Sequence, residues 1–317
     1  LIELNAEVLP AVTAKEITFT VANQVKVILN PFGGRWPGPA KQAKVEEALQ
    51  QAGLAYHLEL TQGRGHALEL AQQAAQAGWP VVIAAGGDGT INEVVNGLMQ
   101  AAGEAEAGTL GIIPLGTAND LAAALNIPLD PLAACRRLAA GQTRLIDLGQ
   151  VNGHYFVNNS AMGLEPMVTL AYNRLRWISG VPRYLVAAVL SIIRAKPWLM
   201  RLTWNNSAYD GPVALVSVGN SNRTGGMFYL TPQAKVDDGL LDFVYANQLN
   251  RWQLLRLLPQ TFSGSHIHAP QVVYRQATEL HITTSTPTPI QADGEIIEPS
   301  ATAIHYRLLP RKLRVIG

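Results

Sequence analysis

The stretch Gly86-Gly87-Asp88-Gly89-Thr90-Ile91-Asn92-Glu93 decides how the rest of the chain is read. Before it, residues 80–85 are a short apolar run rich in β-branched side chains, the pattern of a buried parallel strand. After it, Ile91, Val94, Val95 and Leu98 recur at helical spacing. Glycines at such a strand-to-helix junction let backbone N–H groups come close to an anion, and the helix N-terminus adds partial positive charge. A tight turn alone would also use glycines. Asp88 and Thr90 between them, with Asn92 and Glu93 following, make the junction read as a phosphate site. It has neither the Gly-Lys-Ser/Thr ending of a P-loop nor the GxGxxG spacing of a dinucleotide fold.

Strands and helices alternate outward from this junction. Residues 25–29 are strand-like and run into Asn30-Pro31-Phe32-Gly33-Gly34; residues 39–52 are helical, 55–60 strand-like and 66–77 helical. Residues 110–114 form another short strand, and a helix opens at Asp120. This order predicts an α/β domain with a doubly wound parallel sheet, ligands gathering at the C-terminal strand ends. Loops 30–35, 86–90 and 114–120 stand at those ends. After about Gly141 the texture changes: residues 145–152, 155–159, 202–204, 213–218, 240–245 and 279–284 are strand-like with turn residues between most of them. They predict a mainly antiparallel, β-rich second domain, with the active site in the cleft between the two. The expected division is 24–142 for the first domain and 143–304 for the second.

Composition narrows the field. The 317 residues are 48% hydrophobic and 15% charged with a net charge of +1, a globular chain without a global nucleic-acid footprint. The single Cys135 lies in a helical pattern and reads as a core thiol in a reducing compartment. No apolar stretch reaches the ~18 residues of a membrane span. Residues 1–23 lack a basic start, unlike a secretory signal, and receive no role. His266 and His268, two apart, read as exposed loop residues, and His57, His66, His154, His281 and His305 form no motif.

Three further segments offer chemistry. In 114–120, Thr117 is either a helix cap or a phosphate donor, and Asp120 either a cap or a holder of metal-bound water. Lys235-Val236-Asp237-Asp238-Gly239-Leu240 is a turn that also presents hard oxygen ligands suited to Mg²⁺. Asp293-Gly294-Glu295 places a carboxylate beside a glycine turn, where it is either solvated or free to accept a proton from an attacking hydroxyl. Together with the phosphate loop these make a kit for phosphoryl transfer.

The ordered set NPFGG, GGDGTINEVVNGL, PLGTANDLA, the Asn-rich loop before Gly225-Gly226, KVDDGLLDF and DGE resembles the soluble lipid kinases built on the diacylglycerol kinase catalytic domain. That family includes bacterial diacylglycerol and phosphatidylglycerol kinases and is related to sphingosine and ceramide kinases. The likeness runs from about Val25 to the end of the chain. It implies ATP binding by Asn30, Pro31, Phe32, Gly33, Gly34, Thr61, Gly86, Gly87, Asp88, Gly89, Thr90, Ile91, Asn92, Glu93 and Thr117. It implies Mg²⁺ held by the Asp238 carboxylate with the carbonyls of Lys235 and Leu240, and joined through water by Asp88 and Asp120. Glu295 resembles the family's general base, and residues 305–317 would return to complete the first domain. Arg35 stands where the family commonly has a serine, glycine or lysine.

The segment 166–209 carries Arg174, Arg176, Arg183, Arg194, Lys196 and Arg201 and no acid, interleaved with Trp177, Leu190, Ile193 and Trp198. It reads either as a face meeting an anionic bilayer, through 172–204, or as an interdomain helix with its apolar stripe in the core. The expected protein is a cytoplasmic lipid kinase that touches the inner membrane face. The rival expectations are a kinase for a soluble acceptor, as in NAD kinases, which share GGDGT, and a nucleotide-regulated lipid-binding module without turnover.

Overall fold

The structure, a computed structural model, describes residues 24–32, 38–103, 105, 107–175, 177–178, 180–247 and 249–317. Gly33, Gly34, Arg35, Arg176 and residues 1–23 therefore lie outside the described residues.

The first half alternates as its hydrophobic pattern predicts. Strands β1 (Val25–Leu29), β2 (Tyr56–Leu60), β3 (Val81–Gly86) and β4 (Thr109–Pro114) pair in parallel in the order β2-β1-β3-β4. Helices α1 (Gly38–Gln51) and α5 (Pro131–Ala140) cover one face, α2 (His66–Gln76) and α3 (Asp88–Ala102) the other. Alternate strand residues feed two cores. Val27, Leu29, Ile83 and Ala85 pack with Val45 and Leu49 of α1, whereas Ile28, Val82 and Ala84 pack with Leu70 of α2 and Val94 of α3. Cys135 is buried in the α5 layer, and burial pushes its thiol up to about 12, far from a nucleophile's range. Between β4 and α5, the short helix α4 (Asp120–Ala124) begins at Asn119.

The second half is antiparallel. It comprises β5 (Thr143–Val151), β6 (His154–Phe156), β7 (Asn159–Gly163), β8 (Trp198–Trp204), β9 (Ser207–Gly219), β10 (Leu241–Asn247), β11 (Val272–Ala277), β12 (Glu279–Ala292) and β13 (Glu295–Ile316). Helices α6 (Leu164–Arg174), α7 (Gly180–Arg194) and α8 (Arg251–Leu257) pack against it. Three differences from the sequence expectations have local causes. Residues 155–159 divide into β6 and β7 because the backbone at 157–159 turns toward Asp293. Strand β12 extends past Pro287 and Pro289, which its register shifts between Thr283 and Gln291 accommodate. Strand β13 absorbs Pro310 in the same way, at a shift between Leu309 and Leu313.

One strand joins the halves. The first part of β13 pairs antiparallel with β12, while Arg314 and Val315 pair in parallel with Thr109 and Leu110 of β4. All thirteen strands among the described residues thus belong to a single sheet.

Candidate active site

Helix α3 starts at Gly87 without a side-chain cap from that residue, and the first-turn amides of such a helix have no intrahelical partner. Two glycines make this turn fit. A Cβ on Gly86 would lie 2.5 Å from Thr90 Oγ1, and one on Gly116 would lie 2.5 Å from the Gly87 Cα, so loops 86–90 and 114–120 touch backbone to backbone. Gly89 faces the other half of the molecule, its Cβ position 3.6 Å from Glu295 Oε1.

A pocket of about 540 Å³ opens over this turn, lined by Asn30, Phe32, Thr61, Gly86, Gly87, Gly89, Thr90, Glu93 and Glu295. That volume suits a small-molecule ligand. Asn30 ties the first loop to the helix. Its amide donates to Thr90 Oγ1 at 2.9 Å while its Oδ1 accepts from the Phe32 N–H at 2.8 Å. Phe32 is exposed, and Pro31 packs near Gly38.

Two basic residues in this pocket carried no sequence signal. Lys41, on α1, is buried and donates to the carbonyls of Asn30 and Phe32; burial lowers its pKa. Arg64, on the loop before α2, donates to Glu295 Oε2 at 2.9 Å. Lys41 sits in an ordinary helical pattern and Arg64 in a Gly-rich loop, so neither belongs to a recognisable spacing.

Asp88 does not face the pocket freely. Its two oxygens accept from the N–H groups of Asn119 at 2.8 Å and Asp120 at 2.7 Å, capping α4 from a distant loop. Burial nevertheless raises its pKa against those amides. Asp120 is pushed up to about 6 by burial and then by the charge of Asp88. Its Oδ1 accepts from the Gly226 N–H at 2.9 Å and stands 4.0 Å from Arg223 Nε, linking α4 to the Gly-rich loop of the second half.

Asp293 is the anchor that sequence reading missed. It is half-buried, with φ at 47°, and accepts from Asn92 Nδ2 and from the amides of Val157, Asn158 and Asn159. Burial pushes it up to about 6 against those four donors. It thereby fixes the turn that presents Glu295. Its only sequence signal was its place beside Gly294, which it shares with any exposed turn.

Several residues expected to contact nucleotide have other partners or surroundings in the structure. Ile91 is wholly in the core, and its N–H is spent on the Gly87 carbonyl. Asn92 turns away to Asp293 and the Tyr155 carbonyl. Glu93 lines the pocket, but its carboxylate caps α2 by accepting from Gly65 and Ala67 amides at 2.8 and 3.1 Å. Thr117 is exposed in a neighbouring cavity with Asp88, Asp120, Asp293 and Gly294, not in the glycine pocket. Lys235, Asp238 and Leu240 also stand outside that pocket. Their turn is held by buried Asp147, which accepts from the Gly239 N–H at 2.7 Å. His266 is buried against the Leu230 carbonyl rather than exposed, because a tight turn at Gly264 tucks it inward; His268 is exposed.

The cavity containing Asp88 and Asp120 shares Glu165 and Tyr184 with a narrow apolar one, walled by Leu164, Val168, Ala188, Ile192, Leu254 and Leu258. Glu165 is buried, which pushes it up to about 7, and it accepts from Asn159 and Gln291.

Residues 24–151 match the diacylglycerol kinase catalytic domain, and residues 159–317 match the YegS C-terminal NAD kinase beta sandwich-like domain. A diacylglycerol kinase of Bacillus subtilis is 33% identical over 86% of this chain and 89% of its own length. One from Staphylococcus haemolyticus is 31% identical over 85% of this chain and 81% of its own. A Bacillus anthracis diacylglycerol kinase structure aligns at 22% identity with a TM-score of 0.70, covering 92% of this chain and 96% of that one. A second solved chain from that organism reaches a TM-score of 0.77 at 24% identity and the same coverage. At that identity the structures establish the fold. The chain belongs to the diacylglycerol kinase catalytic-domain family and is an enzyme of the lipid kinase class.

Proposed function

We propose that this kinase transfers the γ-phosphate of ATP to a hydroxyl of a membrane lipid, with diacylglycerol the first acceptor to test. The observation that carries the reading is the meeting of Glu295 with Gly89, the second half's carboxylate at the mouth of the first half's amide-lined turn. In this reading the cleft between the halves is the active site, with amides of the 86–90 turn and Arg64 facing phosphate oxygens. Glu295 accepts the proton of the attacking hydroxyl, and Arg64, its partner before substrates bind, shifts to the transferring phosphate. Asp88 and Asp120 act as positioning residues, since their oxygens hold α4 and the 224–226 loop. The lipid hydroxyl would arrive through the cavity of Asp88 and Gly294, its chain directed toward the adjoining apolar one.

Magnesium fits the 235–240 turn on the chemistry of its donors. Partial burial, then the charges of Asp147 and Asp237, push Asp238 above the usual carboxylate range, a surplus of negative charge that a hard cation relieves. Asp238 would hold it, with the carbonyls of Lys235 and Leu240. When bound there the ion supplies charge neutralisation to that turn. Replacing Asp238 with Asn is expected to raise the Mg²⁺ concentration needed for half-maximal turnover several-fold; an unaltered Mg²⁺ titration would contradict the assignment.

A membrane surface is also proposed. Among the described residues no helix is long and apolar enough to cross a membrane. Exposed Met167 and Leu190 line a groove that also holds Arg174, Arg194 and Lys196, and Trp177, Ile193 and Leu199 are exposed as well, a composition suited to an anionic bilayer.

The direct test is phosphate transfer from labelled ATP to a total lipid extract, with products identified by mass spectrometry. Glu295→Gln keeps the volume but removes the base and should lower turnover by about 10²–10⁴-fold with both substrates saturating. Near-normal turnover would eliminate Glu295 as the base. The likeness of the second half to an NAD kinase sandwich keeps a soluble acceptor as the second reading. Preferential labelling of NAD over short-chain diacylglycerol would favour it.

A further inference from the structure

Histidines 24 residues apart in sequence meet on the exposed face of the second half. His281 and His305 are direct cross-strand partners in β12 and β13, their rings 4.2 Å apart and 4° from parallel. Glu279 precedes His281 by two residues and so shares its face of the sheet. Its Oε2 lies 3.8 Å from His281 Nε2 and 4.0 Å from His305 Nε2. One donor atom from each of the three residues falls within 4.8 Å of the others.

We propose that Glu279, His281 and His305 form a binding site for a divalent transition-metal ion of the zinc class, which staples β12 to β13. Two imidazole nitrogens with one carboxylate favour zinc, nickel or copper over magnesium, whose preferred ligands are oxygens. Tetrahedral zinc bonds of about 2.0–2.2 Å place neighbouring donors roughly 3.3 Å apart. The observed spacing therefore needs a closing of up to about 1.5 Å, within reach of side-chain rotations because all three side chains are about half exposed. Solvent would complete the coordination.

The scaffold beneath these donors is fixed. The Asn152 N–H donates to the His305 carbonyl at 3.1 Å, and the His305 N–H donates to Asn152 Oδ1 at 2.9 Å. His281 is also the cross-strand partner of Thr203 in β8, so its backbone is held from both sides. Arg307 is the cross-strand partner of Glu279. The regular pairing ends at Thr283, and shifts follow until the Asp293–Glu295 turn. An ion at this position would clamp the regular half of the hairpin whose other end carries Glu295.

The test uses the untagged, chelator-treated full chain, titrated with Zn²⁺ by calorimetry in excess Mg²⁺, and with Co²⁺ by visible absorption. The expected result is one saturable Zn²⁺ per chain in the micromolar range. The double variant His281→Asn, His305→Asn should weaken it at least tenfold, and Glu279→Gln by about threefold or more. At roughly a hundredfold excess over Kd, Zn²⁺ should raise the parent's Tm by about 3–6 °C and leave the double variant's unchanged. Circular dichroism of the double variant, altered only at exposed positions, checks that it folds. Unchanged Zn²⁺ affinity in a folded double variant, or no saturable binding to the parent, overturns the proposal and leaves three exposed side chains that merely stack.

Discussion

Asp120 shows how a single carboxylate reports its surroundings. Its ordinary pKa of 3.8 is pushed up to about 6, first by burial and then by Asp88. Between those values the folded protein keeps a proton that the unfolded chain has released. The stability this confers is present below the unfolded pKa and is lost as pH rises through the folded one, by up to about 3 kcal/mol. Asparagine does not titrate and can still accept from Gly226. The stability of Asp120→Asn relative to the parent should therefore grow by about 1–3 kcal/mol from pH 3.5 to pH 7, measured by urea unfolding at both. A pH-independent difference would mean that folding leaves the Asp120 pKa unchanged. At this scale the site was half legible. Asp88 and Glu295 stand in motifs whose chemistry demands acids at those places. Lys41, Arg64 and Asp293 act across separations of 9 to 231 residues, which no local pattern encodes.

At the scale of elements, the α2–α3 contact depends on a missing side chain. A Cβ on Gly97 would lie 2.3 Å from the Leu68 carbonyl oxygen and 2.8 Å from Ala71 Cβ, so the two helices meet over the bare backbone. Alanine inside a helix usually gains roughly 1 kcal/mol over glycine. Here overpacking should outweigh that gain, for a net loss of about 1–3 kcal/mol. Gly97→Ala should lower the denaturant midpoint with the slope unchanged; a midpoint at or above the parent's would show that the helices separate freely. The periodicity of 3.6 and the short apolar runs identified every element from β1 to β4. The second half resisted because Pro287, Pro289 and Pro310 lie within strands, and bulges that make such prolines tolerable depend on the partner strand.

The whole molecule presents its exposed apolar residues unevenly. Trp177, beyond α6, and Trp252, on α8, are each 80% exposed, and both elements belong to the helical layer that walls the apolar cavity. If that layer meets the bilayer, changing both tryptophans to Ala should weaken sedimentation with anionic vesicles by at least about tenfold, since each buries a large apolar area. Turnover on a water-dispersed short-chain lipid should be preserved. Equal vesicle binding by parent and variant would place the membrane face elsewhere. Sequence offered the basic and aromatic composition of 172–204, but not Trp252, which folding brings into the same layer.

Strand β13 also sets a timetable for synthesis. Residues 295–316 occupy the middle of the sheet, between β12 and β4, although every strand they join is translated earlier. A nascent chain shorter than this has both neighbouring strands made and the space between them unfilled. Neither half can seal its sheet on the ribosome before those residues emerge, so final assembly waits for them, with the β4 and β12 edges open to chaperones until then.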